Sequence, residues 1–171
     1  MEAAVNAKRM INSLLYLMIA VLVVRNGLIF FGNSELEGQR LEDLILNQVG
    51  GEGMGRRLYS FKPPIAIFFW SLSCPPCLFE LGRIQSAINN EEVNPQSILA
   101  VNVSDSPETI ALQMAKRKWN FPVFIDSSNG LSKQLKVQAT PTVAYIDSEF
   151  KVSTVNTGVS PLLINRLSKM K

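Results

Sequence analysis

The sequence predicts an α/β protein in which helices flank a central mixed β-sheet, with one N-terminal transmembrane helix in front of this domain. Two observations support the prediction. From Tyr59 onward, short apolar runs alternate with segments of helical pattern, which is typical of an α/β sandwich. Near the N-terminus, a long apolar stretch has the length of a membrane span. The rest of the 171-residue chain is long enough for one domain with its own core.

The apolar stretch runs from Met10 to Phe31. As a single helix it would be roughly 33 Å long, which is enough to cross the hydrocarbon core of a bilayer. Lys8 and Arg9 come directly before it, so the positive-inside rule predicts a cytoplasmic N-terminus. We therefore expect a single-pass anchor in the inner (cytoplasmic) membrane, with everything after Phe31 on the extracytoplasmic, periplasmic side.

Two other interpretations of this stretch remain open. It could be a cleaved secretory signal with Leu14–Val24 as its hydrophobic region, although no clear small-x-small cleavage site follows it. It could also be a buried core helix, but that interpretation does not explain a surface that is apolar on all sides. We favour the anchor. Both the anchor and the signal would export the domain to a compartment where disulfides persist.

These boundaries divide the chain into four segments. Residues 1–9 form a cytoplasmic tail, residues 10–31 the anchor, residues 32–58 a connector and residues 59–171 the folded domain. The connector is rich in glycine, which favours turns. Its apolar positions between Leu41 and Val49 fit a short helix or a strand that packs on the domain, and their periodicity does not decide between the two.

Within the domain, apolar pattern and turn chemistry define the elements. A continuous apolar run is typical of a strand buried on both faces, and a Ser-Pro pair is typical of a helix start. Strands are predicted at Ile65–Trp70, Ser97–Val103, Phe121–Ile125, Thr142–Ile146 and Val152–Asn156. Helices are predicted over Pro76–Asn89, from Pro107 to about Trp119, over Leu131–Leu135 and after a Ser160–Pro161 cap. The last two strands are expected to form a hairpin.

The composition excludes several kinds of chemistry. The chain has no histidine, which removes Ser-His-Asp and Cys-His nucleophiles and zinc sites of mixed Cys and His ligands. The formal net charge is only +3, and the single basic run, Lys116–Lys118, fits a solvated helix face. No second basic cluster supports a nucleic-acid surface, so we expect no nucleic-acid partner.

The two cysteines carry the clearest chemical signal. Cys74 and Cys77 have C-x-x-C spacing directly after a buried strand and at a helix start. A helix N-terminus stabilises a thiolate, so the first cysteine is the expected nucleophile and the second the resolving thiol. So short a loop gains little stability from a disulfide. The alternative, half of a zinc site, lacks two ligands. We expect no bound metal and no cofactor beyond the redox-active Cys74–Cys77 disulfide.

A second signal lies at Thr140–Pro141, where the predicted C-terminal hairpin begins. A cis proline at this point would bring its backbone beside the cysteines, where an unfolded substrate could pair as an additional strand. Taken alone, the same residues also fit an ordinary trans entry into a strand.

Three motifs in order resemble the thioredoxin superfamily, and above all its membrane-anchored TlpA/ResA and ScsD-like branch. The motifs are F-W-x-x-x-C-P-P-C, F-P-V-F-I-D and A-T-P-T-V-A-Y-I-D, and the resemblance covers Tyr59 to the C-terminus. It implies a thioredoxin fold and thiol–disulfide oxidoreductase activity. It also implies that Cys74 and Cys77 are the redox pair and that Pro141 is the cis proline. The expected substrate-binding residues are Trp70, which would shield the site from beneath, Pro75, Pro76, Thr140 and Pro141.

The resemblance also assigns a third catalytic residue and shows departures from the family pattern. Glu80 matches the acid of C-x-x-C-x-x-E and could carry the proton of Cys77, although it also fits an exposed helix residue. Phe68 stands where thioredoxins have a buried acid. Gly82 replaces a helix-kinking proline, and Ser73 replaces a tryptophan.

The direction of electron flow follows from the residues between the cysteines. Two prolines offer no side-chain donor to hold a thiolate, which favours a reductant. We expect it to act on thiols or disulfides of exported proteins, for example apocytochromes c in cytochrome c maturation, and to exchange electrons with a membrane or extracytoplasmic thiol partner. A disulfide oxidase or isomerase remains an alternative, as does a non-catalytic assembly or metal-delivery protein on the same fold.

Overall fold

The computed structural model describes residue 9 and residues 12–21, 34–51 and 55–170. The chain divides into two compact units, Met1–Gly32 and Asn33–Lys171. In the first unit, residues 12–21 are helical with exposed side chains. No helix within the described residues is long and apolar enough to span a membrane. The predicted tail and the predicted anchor lie largely outside the described residues, at 1–8, 10–11 and 22–31.

The second unit contains a sheet of seven strands in the order β2-β1-β5-β4-β3-β6-β7. The strands are β1 (Ile45–Gln48), β2 (Arg56–Arg57), β3 (Ile65–Trp70), β4 (Ile98–Asn102), β5 (Val123–Ile125), β6 (Thr142–Ile146) and β7 (Val152–Thr157). The helices are α1 (Pro75–Asn89), α2 (Pro107–Arg117), α3 (Gly130–Gln134) and α4 (Leu163–Ser168). Short 3₁₀ turns occur at Ser34–Leu36, Leu58–Ser60 and Pro95–Ser97.

The sheet is mixed, as predicted. Strands β3, β4 and β5 run parallel, and β6 pairs antiparallel with β3. At the two ends of the sheet, β7 pairs antiparallel with β6 and β1 pairs antiparallel with β5. The carboxyl ends of the three parallel strands and the beginning of β6 therefore meet at one edge of the sheet.

Strand β3 lies inside the sheet, between β4 and β6, and divides the hydrophobic core. All six of its residues are buried. Phe68 and Trp70 pack in one cluster with α1 and α4, whereas Ile67 and Phe69 pack in the other with α3. Successive side chains of a strand point to opposite faces, so this single strand anchors both layers of helices.

The segment 32–58, expected to be a connector, contributes two short strands to the sheet. Strand β1 pairs with β5, Asn47 lying opposite Ile125, and β2 pairs with β1. Leu36, Leu41, Leu46 and Leu58 are buried in the core. The compact unit therefore begins well before the predicted boundary at Tyr59. Among the apolar positions whose periodicity was ambiguous, Ile45 and Leu46 lie in strand β1.

Most predicted elements are present, and their ends differ for local reasons. Strands β3 and β6 have the predicted bounds. Helix α2 ends at Arg117 because Lys118 takes a left-handed conformation with φ of 54°. Helix α4 begins at Leu163 with Leu162 at its N-cap position, so the predicted Ser160 cap is wrong. The backbone of Ser160 is engaged with α1 instead.

Candidate functional site

The two cysteines lie at the edge of the sheet where β3 ends. Cys74 is the N-cap residue of α1, and its sulfur is joined to that of Cys77 in a disulfide of 2.07 Å. The amide of Cys77 donates to the sulfur of Cys74 at 3.2 Å. Cys74 is partly exposed, whereas Cys77 is fully buried. In the reduced protein the sulfur of Cys74 would therefore be accessible to solvent and would also lie at the helix N-terminus.

Pro75 and Pro76 occupy the first two positions of α1 and are exposed. Proline fits a helix start because it has a suitable φ and no N–H to leave unpaired. Because neither proline has an amide N–H, neither can donate a hydrogen bond to the sulfur of Cys74. The amide of Cys77 is therefore the first along the helix that can do so.

A hydrogen-bond network fixes the loop that leads to Cys74. Asp105 accepts from the amide of Leu72 and from the side-chain amide of Asn102, both at 2.7 Å. Asn102 is fully buried at the end of β4, and its oxygen accepts from the amide of Asp105 at 2.8 Å. Sequence reasoning missed these residues. The signal was an Asn-x-x-Asp pattern at the end of a buried strand, where such side chains bond to the local backbone.

Trp70 lies in the core beneath the cysteines. It is fully buried in the same hydrophobic cluster as Cys77, and its ring packs edge to face against Trp119 at 5.4 Å between centroids. The aromatic shield implied by the family resemblance stays a prediction for this residue. Its burial leaves the ring no exposed surface with which to contact a substrate directly.

Thr140 and Pro141 lie at the same edge of the sheet. The peptide bond between them is cis, and the carbonyl of Pro141 accepts from the amide of Gly158 at 2.7 Å. The strand register pairs Thr142 with Phe69, so the two residues before Thr142 continue toward the loop that carries Cys74. Pro141 is buried and Thr140 is partly exposed.

A cavity of about 640 Å³ opens beside Thr140. Its walls come from the end of β4, from α3 and its flanks, and from the segment that leads into β6. The lining residues are Val103, Asn129, Ser132, Lys133, Lys136, Val137, Gln138, Ala139 and Thr140. An open volume of this size next to Thr140 can hold side chains of a bound polypeptide.

Glu80 is not the exposed helix residue that one interpretation of the sequence allowed. Its side chain is 1% exposed, and one carboxylate oxygen pairs with Arg83 at 2.7 Å. The other oxygen accepts from the amide of Ser160 at 2.8 Å. Arg83 also donates to the carbonyls of Ser160 and Pro161. The ion pair therefore joins α1 to the segment that precedes α4.

The charge of Glu80 reaches a neighbouring tyrosine on β6. Burial raises the pKa of Tyr145 to about 12. The guanidinium of Arg166, which lies 5.0 Å from the centre of the tyrosine ring, opposes this rise, and the charge of Glu80 adds to it. Tyr145 therefore remains a neutral hydroxyl at physiological pH.

Two departures from the family pattern are visible in the structure. Phe68 is fully buried on the same sheet face as Trp70, so an apolar ring fills the position of the thioredoxin acid. Gly82 is exposed on α1, with open space where a side chain would begin. Within the described residues, no three His, Cys, Asp or Glu side chains form a group that could hold a metal ion.

The profile of the AhpC/TSA family matches residues 38–155. Among curated proteins, the thiol-disulfide oxidoreductase ResA of Halalkalibacterium halodurans is 23% identical over 146 residues, covering 82% of each chain. ResA of Bacillus subtilis is 27% identical over 132 residues, covering 76% of this chain and 73% of that one. Among solved structures, StoA of Bacillus subtilis superposes with a TM-score of 0.58 at 20% identity, covering 75% of this chain and 96% of that one.

The burial of Glu80 generates a stability prediction. Glu80→Gln removes the charge that pairs with Arg83. We expect the free energy of unfolding to fall by about 2 kcal/mol, which is less than for a fully buried ion pair because Arg83 is partly exposed. The measurement is urea unfolding. The matched control is Glu149→Gln, which breaks the exposed pair with Lys151 and should leave the unfolding midpoint unchanged. Equal effects of the two substitutions would contradict the structural role of Glu80.

Proposed function

We propose that this chain, which belongs to the AhpC/TSA family of the thioredoxin superfamily, is a membrane-anchored thiol–disulfide oxidoreductase that reduces disulfides of exported proteins. One observation carries the chemistry. A partly exposed Cys74 caps the N-terminus of α1, and a buried Cys77 lies one turn along the helix in disulfide contact with it. This arrangement separates an attacking sulfur from a resolving one. The relatives named thiol-disulfide oxidoreductases support the same activity.

The reaction begins from the reduced protein. The Cys74 thiolate attacks one sulfur of a substrate disulfide, which forms a mixed disulfide and releases the first substrate thiolate. The Cys77 sulfur then attacks Cys74, which closes the protein disulfide and releases the second substrate thiolate. Two electrons pass to the substrate, and the two protons of the protein thiols end on the substrate sulfurs. A membrane or extracytoplasmic thiol partner must return the two electrons.

Substrate contacts are assigned to the surface around Cys74. Pro75 and Pro76 are exposed beside the reacting sulfur, and Thr140 lies partly exposed at the start of β6. An extended substrate chain beside Thr140 and Pro141 would pair with backbone, which is tolerant of sequence. We assign Glu80, three residues after Cys77 on α1, to the proton that Cys77 releases. Apocytochromes c are one class of exported disulfide that fits this activity.

The roles of the two cysteines generate the next prediction. Cys77→Ser should accumulate mixed disulfides with substrates, since the attacking sulfur remains while the resolving sulfur is gone. Cys74→Ser should accumulate none, because the remaining sulfur is fully buried. Non-reducing electrophoresis of each variant after incubation with a disulfide-containing protein reports the adducts. Trapping by Cys74→Ser alone would reverse the assignment.

The direction of electron flow is tested by the reduction potential. Pro75 and Pro76 supply neither amides nor side-chain donors to the Cys74 sulfur, so its thiolate is weakly stabilised and the dithiol is a better reductant. We expect a potential nearer that of thioredoxin, roughly −270 mV, than that of DsbA, roughly −120 mV. Equilibration with glutathione and thiol counting measure it. A potential close to the DsbA value would replace the reductase with the oxidase or isomerase.

Anchoring is proposed from the apolar stretch Met10–Phe31 and the basic residues before it. We expect the full-length chain to stay in the membrane fraction after a carbonate wash and its domain to be digested by protease added from the extracytoplasmic side. Immunoblots of both fractions provide the measurement. A processed form that begins after about Gly32 and leaves the membrane would identify a signal peptide instead.

A further inference from the structure

The cavity beside Thr140 has walls of one charge. Among its lining residues the charged side chains are Lys133 and Lys136, and the others are apolar or neutral and polar. Lys133 is exposed, and its ammonium makes no hydrogen bond or ion pair with any other described residue. The cavity therefore presents positive charge close to the place where a substrate chain would lie.

One of the two lysines that line the cavity already binds a carboxylate. The ammonium of Lys136 binds the carboxylate of Glu35 at 2.6 Å, although 79% of the Glu35 side chain is exposed. The hydrogen bond from Lys136 and its charge hold the pKa of Glu35 below its ordinary value. This contact shows how an acidic group can approach the wall from solvent. Lys133, on the same wall, has no corresponding acid.

Neutral donors in the cavity add to the charge. The hydroxyl oxygen of Ser132 is buried and has no hydrogen-bond partner among residues 34–51 and 55–170. The side chains of Asn129 and Gln138 also line the space. A carboxylate accepts hydrogen bonds from hydroxyl, amide and ammonium groups alike, and a buried hydroxyl without a partner is costly. The lining thus offers both the charge and the unused donor that an acidic side chain would satisfy.

We propose that this cavity binds an acidic side chain of the substrate polypeptide close to its reacting cysteine. The inference rests on the proposed function, because it assumes that substrate disulfides are attacked by Cys74. The occupant is a peptide-borne carboxylate rather than a free anion, since the cavity adjoins Thr140 at the edge of the sheet that carries the cysteines. The preferred substrates have an Asp or Glu close to the reacting cysteine.

The test uses the reduced full-length chain and a series of short peptides. Each peptide has one cysteine, held as a mixed disulfide with 2-mercaptoethanol, and Asp, Ala or Lys beside that cysteine. Oxidation of the protein is followed by tryptophan fluorescence, since Trp70 shares a buried cluster with Cys77. The dependence of the rate on peptide concentration gives a half-saturating concentration and a limiting rate.

For the wild-type protein we expect the half-saturating concentration of the Asp peptide to be about threefold to fivefold lower than that of the Lys peptide, at low salt. The limiting rates should be equal, because the carboxylate binds away from the reacting sulfur. Lys133→Glu should abolish or reverse this preference. The matched control, Lys169→Glu, makes the same charge change at an exposed residue outside the cavity and should leave the preference intact.

Three results would overturn the inference. The first is an equal half-saturating concentration for the Asp and Lys peptides. The second is an equal effect of Lys133→Glu and Lys169→Glu, which would assign the preference to net charge. The third is competition by free succinate as strong as by the Asp peptide, which would make the site one for a free carboxylate. If no peptide oxidises the wild-type protein, the proposed function itself fails. If all peptides oxidise it with the same half-saturating concentration, only the acidic preference is removed.

Discussion

The burial of β3 on both faces is the constraint on which the site depends. Its residues alternate between two hydrophobic clusters, so the strand can neither slide by one residue nor turn over without exposing large apolar side chains. The position of Trp70 at its end is therefore fixed, and with it the point where the chain leaves the sheet. Because α1 begins only five residues later, at Pro75, the helix N-terminus and the sulfur of Cys74 are held close to this fixed point.

The helix start then determines what the cysteines can do. An N-cap sulfur is stabilised as a thiolate by the amides of the first turn, and here two of those positions are prolines. The site keeps the helix dipole but loses donors, and this loss supports the reductase that we propose. Phe68 affects a different step, since no buried acid stands in its place to handle the proton of Cys77. Glu80, on the helix itself, is the residue that we propose for this proton.

Local patterns made β3, β6 and the C-x-x-C helix start predictable, because a continuous apolar run and a Pro-rich turn act through neighbouring residues. The contacts that sequence reasoning missed join distant parts of the chain. The buried carboxylate of Glu80 accepts a hydrogen bond from the amide of Ser160, 80 residues away, and nothing near Glu80 in sequence indicates that partner. Strand β1 was ambiguous because only its pairing with β5 distinguishes a strand from a helix there.

The site edge is therefore a junction of four chain segments held by polar contacts. Asp105 fixes the loop before Cys74 to the end of β4, and Glu80 fixes α1 to Ser160. The amide of Gly158 is bound to the carbonyl of Pro141, which places the same C-terminal segment beside the start of β6. A substrate chain that docks at this edge would meet backbone already ordered on both sides of the reacting sulfur. Little ordering entropy would then be lost on binding, so short and otherwise weak contacts, including a single carboxylate in the lysine-lined cavity, can discriminate between substrates.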